Sequence, residues 1–145
     1  MKNVLLTLIA MIVFSTCRSP KIQLTDQEKT LQEKLASECK CKVTLFHSWS
    51  AVTQKRSDGS FYVEFAFDSS NKPEYCTRSE KWLRIYTQMR VKQLLRVLSH
   101  RENYQQLVVG YSVTKKIDED YAESTCSKDL IYDLNSGRMT YQVIE

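Results

Sequence analysis

The sequence predicts an α+β domain, a mainly antiparallel sheet of about five strands with two helices on one face, in the order α-β-β-α-β-β-β. Three observations carry this. A capping signature opens a helix at Thr25, apolar residues alternate with period two on both sides of Asp58-Gly59, and a long stretch free of Gly and Pro separates those strands from a second alternating region.

The first helix is justified by Thr25-Asp26-Gln27-Glu28. There the threonine hydroxyl can accept from a free helix amide while Glu28 reaches back to the amide of Thr25. It should run toward Cys39 with Leu31 and Leu35 on one side. From Lys42 the period becomes two, and after Ser57-Asp58-Gly59 the alternation resumes with Phe61, Val63, Phe65 and Phe67 on a single face. A two-residue Asp58-Gly59 loop would set Phe65 opposite Val52. A three-residue loop, with Gly59 in the left-handed position, pairs Trp49 with Phe67 and Ala51 with Phe65, and is the expected arrangement. The core face of this hairpin is then Val43, Leu45, Trp49, Phe61, Val63, Phe65 and Phe67.

A loop holding Pro73 and Cys76 leads to Thr77-Arg78-Ser79-Glu80, which offers a second capping box for a helix to about His100. Residues 82–91 also alternate, but the spacing 91, 94, 95, 98 that follows favours helix. Tyr104 onward returns to strand, with Leu107, Val109, Tyr111 and Val113 on one face, and Lys115 to Ser127 reads as a polar loop. Leu130, Tyr132 and Leu134 share a face with Met139, Tyr141 and Val143 if an even loop such as Ser136-Gly137 joins them.

Ahead of this domain stands an export signal. Lys2 is a positive n-region, and Val4 to Phe14 is an uninterrupted apolar run of signal-peptide length, too short for a comfortable membrane span of roughly 18 or more residues. Phe14-Ser15-Thr16-Cys17 at its end resembles the lipobox of bacterial lipoproteins. The resemblance implies cleavage before Cys17 and acylation of that cysteine; cleavage after Ser15 is the competing reading. The organisation expected is a signal peptide over 1–16, a short tether over 17–24 and one domain over 25–145. Fully extended, the tether reaches roughly 24 Å. The protein is thus expected to be exported and membrane-anchored in the bacterial cell envelope, or secreted if Cys17 carries no lipid.

Cysteine parity agrees with this. Five cysteines are odd, and assigning Cys17 to lipid leaves Cys39, Cys41, Cys76 and Cys126 to pair as disulfides. Cys39 and Cys41 stand too close in sequence for a relaxed bridge with each other, so pairings to Cys76 and Cys126 are expected, stabilising by roughly 4 kcal/mol each in the chain-entropy account. A zinc site lacks C-x-x-C spacing, and nothing specifies the exposed thiol of a C-x-C redox centre.

Removing Lys2 with the signal lowers the net charge from +4 to +3, which is too modest for a nucleic-acid face. The basic residues Arg78, Lys81, Arg84, Arg90, Lys92, Arg96 and Arg101 point in several directions around the long helix and read as a solvated face rather than a membrane-facing one. Asp118-Glu119-Asp120 with Glu123 lacks the calcium-loop spacing, and no Gly-rich phosphate loop occurs. No catalytic residue, metal site or cofactor is expected. His47 and His100 belong to no local catalytic pattern, and a half-buried strand histidine is the expected role of His47. Tyr62 and Trp82 are candidates for an aromatic surface patch that meets a partner. The function expected is that of a small non-enzymatic binding or interaction protein with an envelope protein as partner. The rival is an envelope hydrolase built on His47 and a distant carboxylate, which requires His47 in a pocket within hydrogen-bond reach of that carboxylate.

Overall fold

The computed structural model describes residues 23–48, 59–70, 77–117 and 122–144. The signal segment, Cys17, Trp49, the turn at Ser57-Asp58, Pro73, Cys76 and Asp118–Asp120 lie outside the described residues.

Helix α1 spans Asp26–Cys39 and begins as its sequence demands. The Glu28 amide donates to Thr25 Oγ1 at 3.3 Å and the Thr25 amide donates to Glu28 Oε2 at 2.8 Å, closing the capping box. Leu31, Leu35 and Cys39 form its buried stripe. The helix stops at Lys40, which adopts φ 53° and ψ 46° and returns its amide to Ala36. That left-handed turn folds the chain back on itself and brings the Cα atoms of Cys39 and Cys41 to 5.3 Å, where the two cysteines are joined by a disulfide. The pairing of each with Cys76 or Cys126 is therefore corrected: proximity in sequence excludes a bridge only when the intervening residue is extended. Cys126 is also disulfide-bonded, to a partner outside the described residues. The Cys39–Cys41 bridge closes so small a loop that it restricts the unfolded chain little. Replacing both by alanine is expected to lower stability by no more than about 1.5 kcal/mol in urea unfolding. A loss near 4 kcal/mol would show that the bridge does more than close its loop.

Helix α2 spans Glu80–Val97. Its N-cap is Ser79, whose hydroxyl accepts from the Trp82 amide at 3.3 Å, so the expected cap at Thr77 moves by two residues; the helix ends three residues before His100. Leu83, Thr87, Val91 and Leu94 form its buried stripe. The one polar member, Thr87, is satisfied by the Tyr111 hydroxyl at 2.8 Å. Arg90 links the two helices through Glu38 and also donates to the Tyr86 hydroxyl at 2.8 Å.

Five strands form one sheet in the order β1-β2-β3-β4-β5: Lys42–Ser48, Gly59–Asp68, Tyr104–Lys116, Ala122–Asp133 and Met139–Ile144. The sheet is mixed, which corrects the expectation of a mainly antiparallel one. β2 and β3 run parallel because α2 lies between them in the chain, and a parallel neighbour needs such a crossover. A 3-10 turn at Arg101–Asn103, not expected from the sequence, precedes β3.

The register of the first pair also differs. Val43 faces Phe65, Leu45 faces Val63 and His47 faces Phe61, so the β1 partner of Phe65 is Val43 rather than Val52 or Ala51; the expected pairing of Phe67 with Trp49 falls on a residue outside the described ones. The displacement is an even number of residues, so every side chain keeps its face, and the expected core residues that lie among the described residues are buried. β3 carries Leu107, Val109, Tyr111 and Val113 inward as expected. The Lys115 to Ser127 stretch is strand at both ends rather than loop, with Lys115 opposite Glu123 and Val113 opposite Cys126. Opposite charges and Ser/Thr pairs stabilise a hairpin arm that runs past the core without needing apolar alternation. In the last hairpin, Asp133 donates its amide to Arg138 O at 2.9 Å, and its carbonyl accepts from the Gly137 amide at 2.9 Å. That leaves an even four-residue loop over 134–137 and sets Tyr132 opposite Met139 and Leu130 opposite Tyr141.

Both helices cover the same face of the sheet. The row Leu45, Val63, Val109, Leu130, Tyr141 runs across that face, and Leu31, Leu35, Leu83, Val91 and Leu94 pack against it. Among the described residues no helix covers the opposite face.

Candidate functional site

The open face is set by the residues between the core positions. One cross-strand row reads Phe46, Tyr62, Val108, Ile131, and the next reads Thr44, Glu64, Gly110, Asp129. Phe46 and Tyr62 stack face to face, with ring centroids 4.7 Å apart and planes within 1°. In the adjoining row Gly110 has no side chain, and strands lie about 4.8 Å apart, so the backbones of Glu64 and Asp129 stand roughly 10 Å apart across a bare strand. The result is a cleft of about 210 Å³ walled by the aromatic stack, floored by Val108 and Gly110, and lined by Glu64, Asp129, Ser112 and Ser127.

The glycine matters here for space. A Cβ at position 110 would stand 3.1 Å from Asp129 Oδ1, so any other residue would push that carboxylate back by a few tenths of an ångström from where it leans over the strand. Burial pushes the Asp129 carboxyl above the ordinary aspartate range, and the negative charge of Glu64 pushes it in the same direction. Among the described residues neither carboxylate has a cationic partner within ion-pair distance. Ser112 Oγ lies 3.4 Å from Glu64 Oε1, a long contact that leaves the carboxylate with acceptor capacity to spare. Such a cleft offers negative charge beside an aromatic face, which suits a cation carried on an apolar stem.

Tyr62 and Trp82 do not form one patch. Tyr62 is half-buried in the open-face cleft, whereas Trp82 lies on α2, on the other side of the sheet, stacked on Tyr86 at 5.1 Å with the Arg78 guanidinium 4.8 Å from its ring. Phe46, Glu64, Gly110 and Asp129 were not singled out by sequence. Their only signal is parity, since each occupies an outward position in a strand whose inward positions are apolar.

His47 lies on the helix side. Its side chain and that of Glu28 have zero exposure, with Nε2 3.4 Å from Glu28 Oε2 but outside hydrogen-bonding geometry, so Nε2 lacks a hydrogen-bond partner among the described residues. Nδ1 is hydrogen-bonded to the Tyr104 hydroxyl, and the ring meets Phe61 edge-on at 5.0 Å. Glu28 Oε1 accepts from both the amide and the hydroxyl of Ser99, each at 2.9 Å. Burial alone would raise the Glu28 carboxyl. The hydrogen bonds from Ser99 and Thr25 and the nearby His47 together outweigh it and hold the group below the usual glutamate range. Burial, then the charges of Glu28 and Glu102, push the Tyr104 hydroxyl upward.

Histidine and carboxylate approach each other to 3.4 Å without the hydrogen bond that the hydrolase reading required, and both side chains have zero exposure. The cleft on the open face, the hollow beside Arg101 and Asn135 and the groove along α1 are lined by neither His47 nor Glu28. The cluster instead ties the start of α1 to the turn after α2 and to the edge of the sheet. His100 stands apart, at φ 53° before the 3-10 turn, with Nδ1 3.8 Å from Glu102. Among the described residues no group of three or more His, Cys, Asp or Glu side chains has metal-binding geometry.

Comparison with protein-family models, with curated proteins and with solved structures gives no match to this chain.

Proposed function

We propose that this protein is an exported binding protein of the cell envelope, held at the membrane by a lipid on Cys17. Its binding site on this reading is the open-face cleft, and its partner an envelope protein that inserts a lysine or arginine side chain there. The observation that carries the reading is the row Glu64-Gly110-Asp129 beside the Phe46–Tyr62 stack, which brings two carboxylates without cationic partners among the described residues to a bare strand next to an aromatic wall. A carboxylate left unpaired at a half-buried site is stabilised when a cation arrives, and the cation's alkyl stem is covered by the rings. The His47–Glu28 pair gives the hydrolytic reading little support, because both side chains have zero exposure and Nε2 makes no hydrogen bond to the carboxylate among the described residues.

The test compares the full chain with Glu64→Gln/Asp129→Asn and with Gly110→Val in quantitative binding to partners retained from envelope extracts. Both variants are expected to weaken binding of the same partner at least tenfold, the first by removing charge and the second by filling the cleft. Unchanged retention by both would place the site elsewhere. Because the Asp129 carboxyl is raised, binding should also fall on acidification at a higher pH than an ordinary aspartate would give. Mass spectrometry of the N-terminal peptide tests the anchor separately: an unmodified Cys17 overturns lipidation.

A further inference from the structure

Helix α2 has a second stripe. Opposite its buried face, Lys81, Ile85, Met89, Lys92 and Arg96 recur at helical spacing and point away from the sheet. Ile85 and Met89 are 56% and 54% exposed, more than any core-side residue of the helix and adjacent to each other one turn apart. The three cations are exposed too, and none has an ion-pair partner among the described residues. No acid interrupts the stripe. The one acid of α2, Glu80, lies on the flank and is paired with Arg84 at 2.6 Å. The basic residues do scatter around the helix, as their sequence positions require. Within α2, Arg84 and Arg90 are taken up by Glu80 and Glu38, and the three cations without an ion-pair partner among the described residues are those bordering the exposed apolar pair.

We propose that this stripe docks the domain on an anionic phospholipid surface. Ile85 and Met89 enter the boundary between headgroups and acyl chains, and Lys81, Lys92 and Arg96 meet the lipid phosphates. An apolar strip with a cationic rim and no acid is the composition of an interfacial helix. A convex helix surface without a groove suits a deformable bilayer better than the concave recognition of a protein pocket.

The placement has a consequence for the cleft. Both helices lie on one face of the sheet and the cleft on the other, so docking through α2 turns Phe46, Tyr62, Glu64 and Asp129 away from the membrane toward soluble partners. The start of α1 is in the same helix layer, on the membrane side of the sheet. The docking itself does not depend on the Cys17 lipid; only its relation to a partner-binding cleft rests on the function proposed above.

The test uses the full chain produced with photo-methionine, so that Met89 reports its neighbour and half-buried Met139 serves as internal control. It is irradiated with vesicles of phosphatidylcholine alone, with vesicles in which phosphatidylglycerol replaces part of it, and in the intact envelope of the expressing host. Met89 is expected to cross-link to phospholipid in the anionic vesicles and in the envelope, with little cross-linking in phosphatidylcholine and none at Met139. In vesicle co-sedimentation, removing one cation should weaken binding roughly fivefold, and Lys81→Gln/Lys92→Gln/Arg96→Gln on the order of 100-fold. Cross-linking of Met89 to an acidic protein in place of lipid, equal binding to neutral vesicles, or full binding by the triple variant would each overturn the proposal. A labelled stripe on a chain whose Cys17 peptide carries no lipid would uphold docking while removing the anchor.

Discussion

Replacing Glu28 by alanine is expected to destabilise the protein by about 3–5 kcal/mol, the range for removing one partner from a buried charged network. The side chain is fully buried and serves four groups: the Thr25 amide, the Ser99 amide, the Ser99 hydroxyl and, through the 3.4 Å approach of Nε2, His47. Alanine leaves the Thr25 amide and the Ser99 amide and hydroxyl without their acceptor, removes the negative charge beside His47 and opens a cavity among them. Glutamine keeps the volume and can still accept from Ser99 through its carbonyl. Its NH2 would, however, meet the Thr25 donor, so an intermediate loss is expected. The pH dependence follows from the depressed carboxyl. Its folded-state value lies below its unfolded value near 4.5, so its stabilisation is present above that value and is lost as pH falls through the folded value. Urea unfolding of the wild type and of Glu28→Gln from neutral pH downward measures both effects. The wild type should lose stability on acidification faster than the glutamine variant, and parallel curves would show that Glu28 is not the group responsible.

Phe65→Ala is expected to cost about 3–5 kcal/mol, whereas Phe46→Ala should cost about 1 kcal/mol while weakening partner binding. The two side chains belong to paired strands and point to opposite faces of the sheet. Phe65 has no exposure, stacks on Tyr111 at 5.2 Å and sits in the centre of the row between Val43 and Tyr111. Phe46 is 42% exposed and rests on Tyr62 in the cleft. Unfolding midpoints of the two variants decide the matter. Similar losses for both would mean that the open face contributes to the core as much as the helix face does.

Much of this fold was legible because local chemistry and tertiary structure agree. The Thr25 box starts α1, and the alternation of Phe61, Val63, Phe65 and Phe67 marks a strand with one buried face. What was misread depends on partners distant in sequence. The register of β1 against β2 was inferred from a tight turn at Gly59, yet parity allows any even shift, and packing under the helices selected one. The mixed sheet follows from the position of β3 beside β2, which periodicity does not report. The polar Lys115 to Ser127 stretch lacked apolar alternation because its strands outrun the core.

The site shows the same division. Tyr62 was recognisable as an outward aromatic, but its companions come from three further strands, and their convergence exists only once those strands are aligned. Glu28 was legible as a capping residue, while its hold on Ser99, 71 residues away, was not. The sequence by itself determined where the two helices begin and which side of the core strands is apolar, because caps and periodicity act within a few residues. The tertiary structure alone decided strand order, register, the Cys39–Cys41 bridge made by the turn at Lys40, and the open-face cleft. Each of these rests on contacts whose formation depends on the whole core being packed.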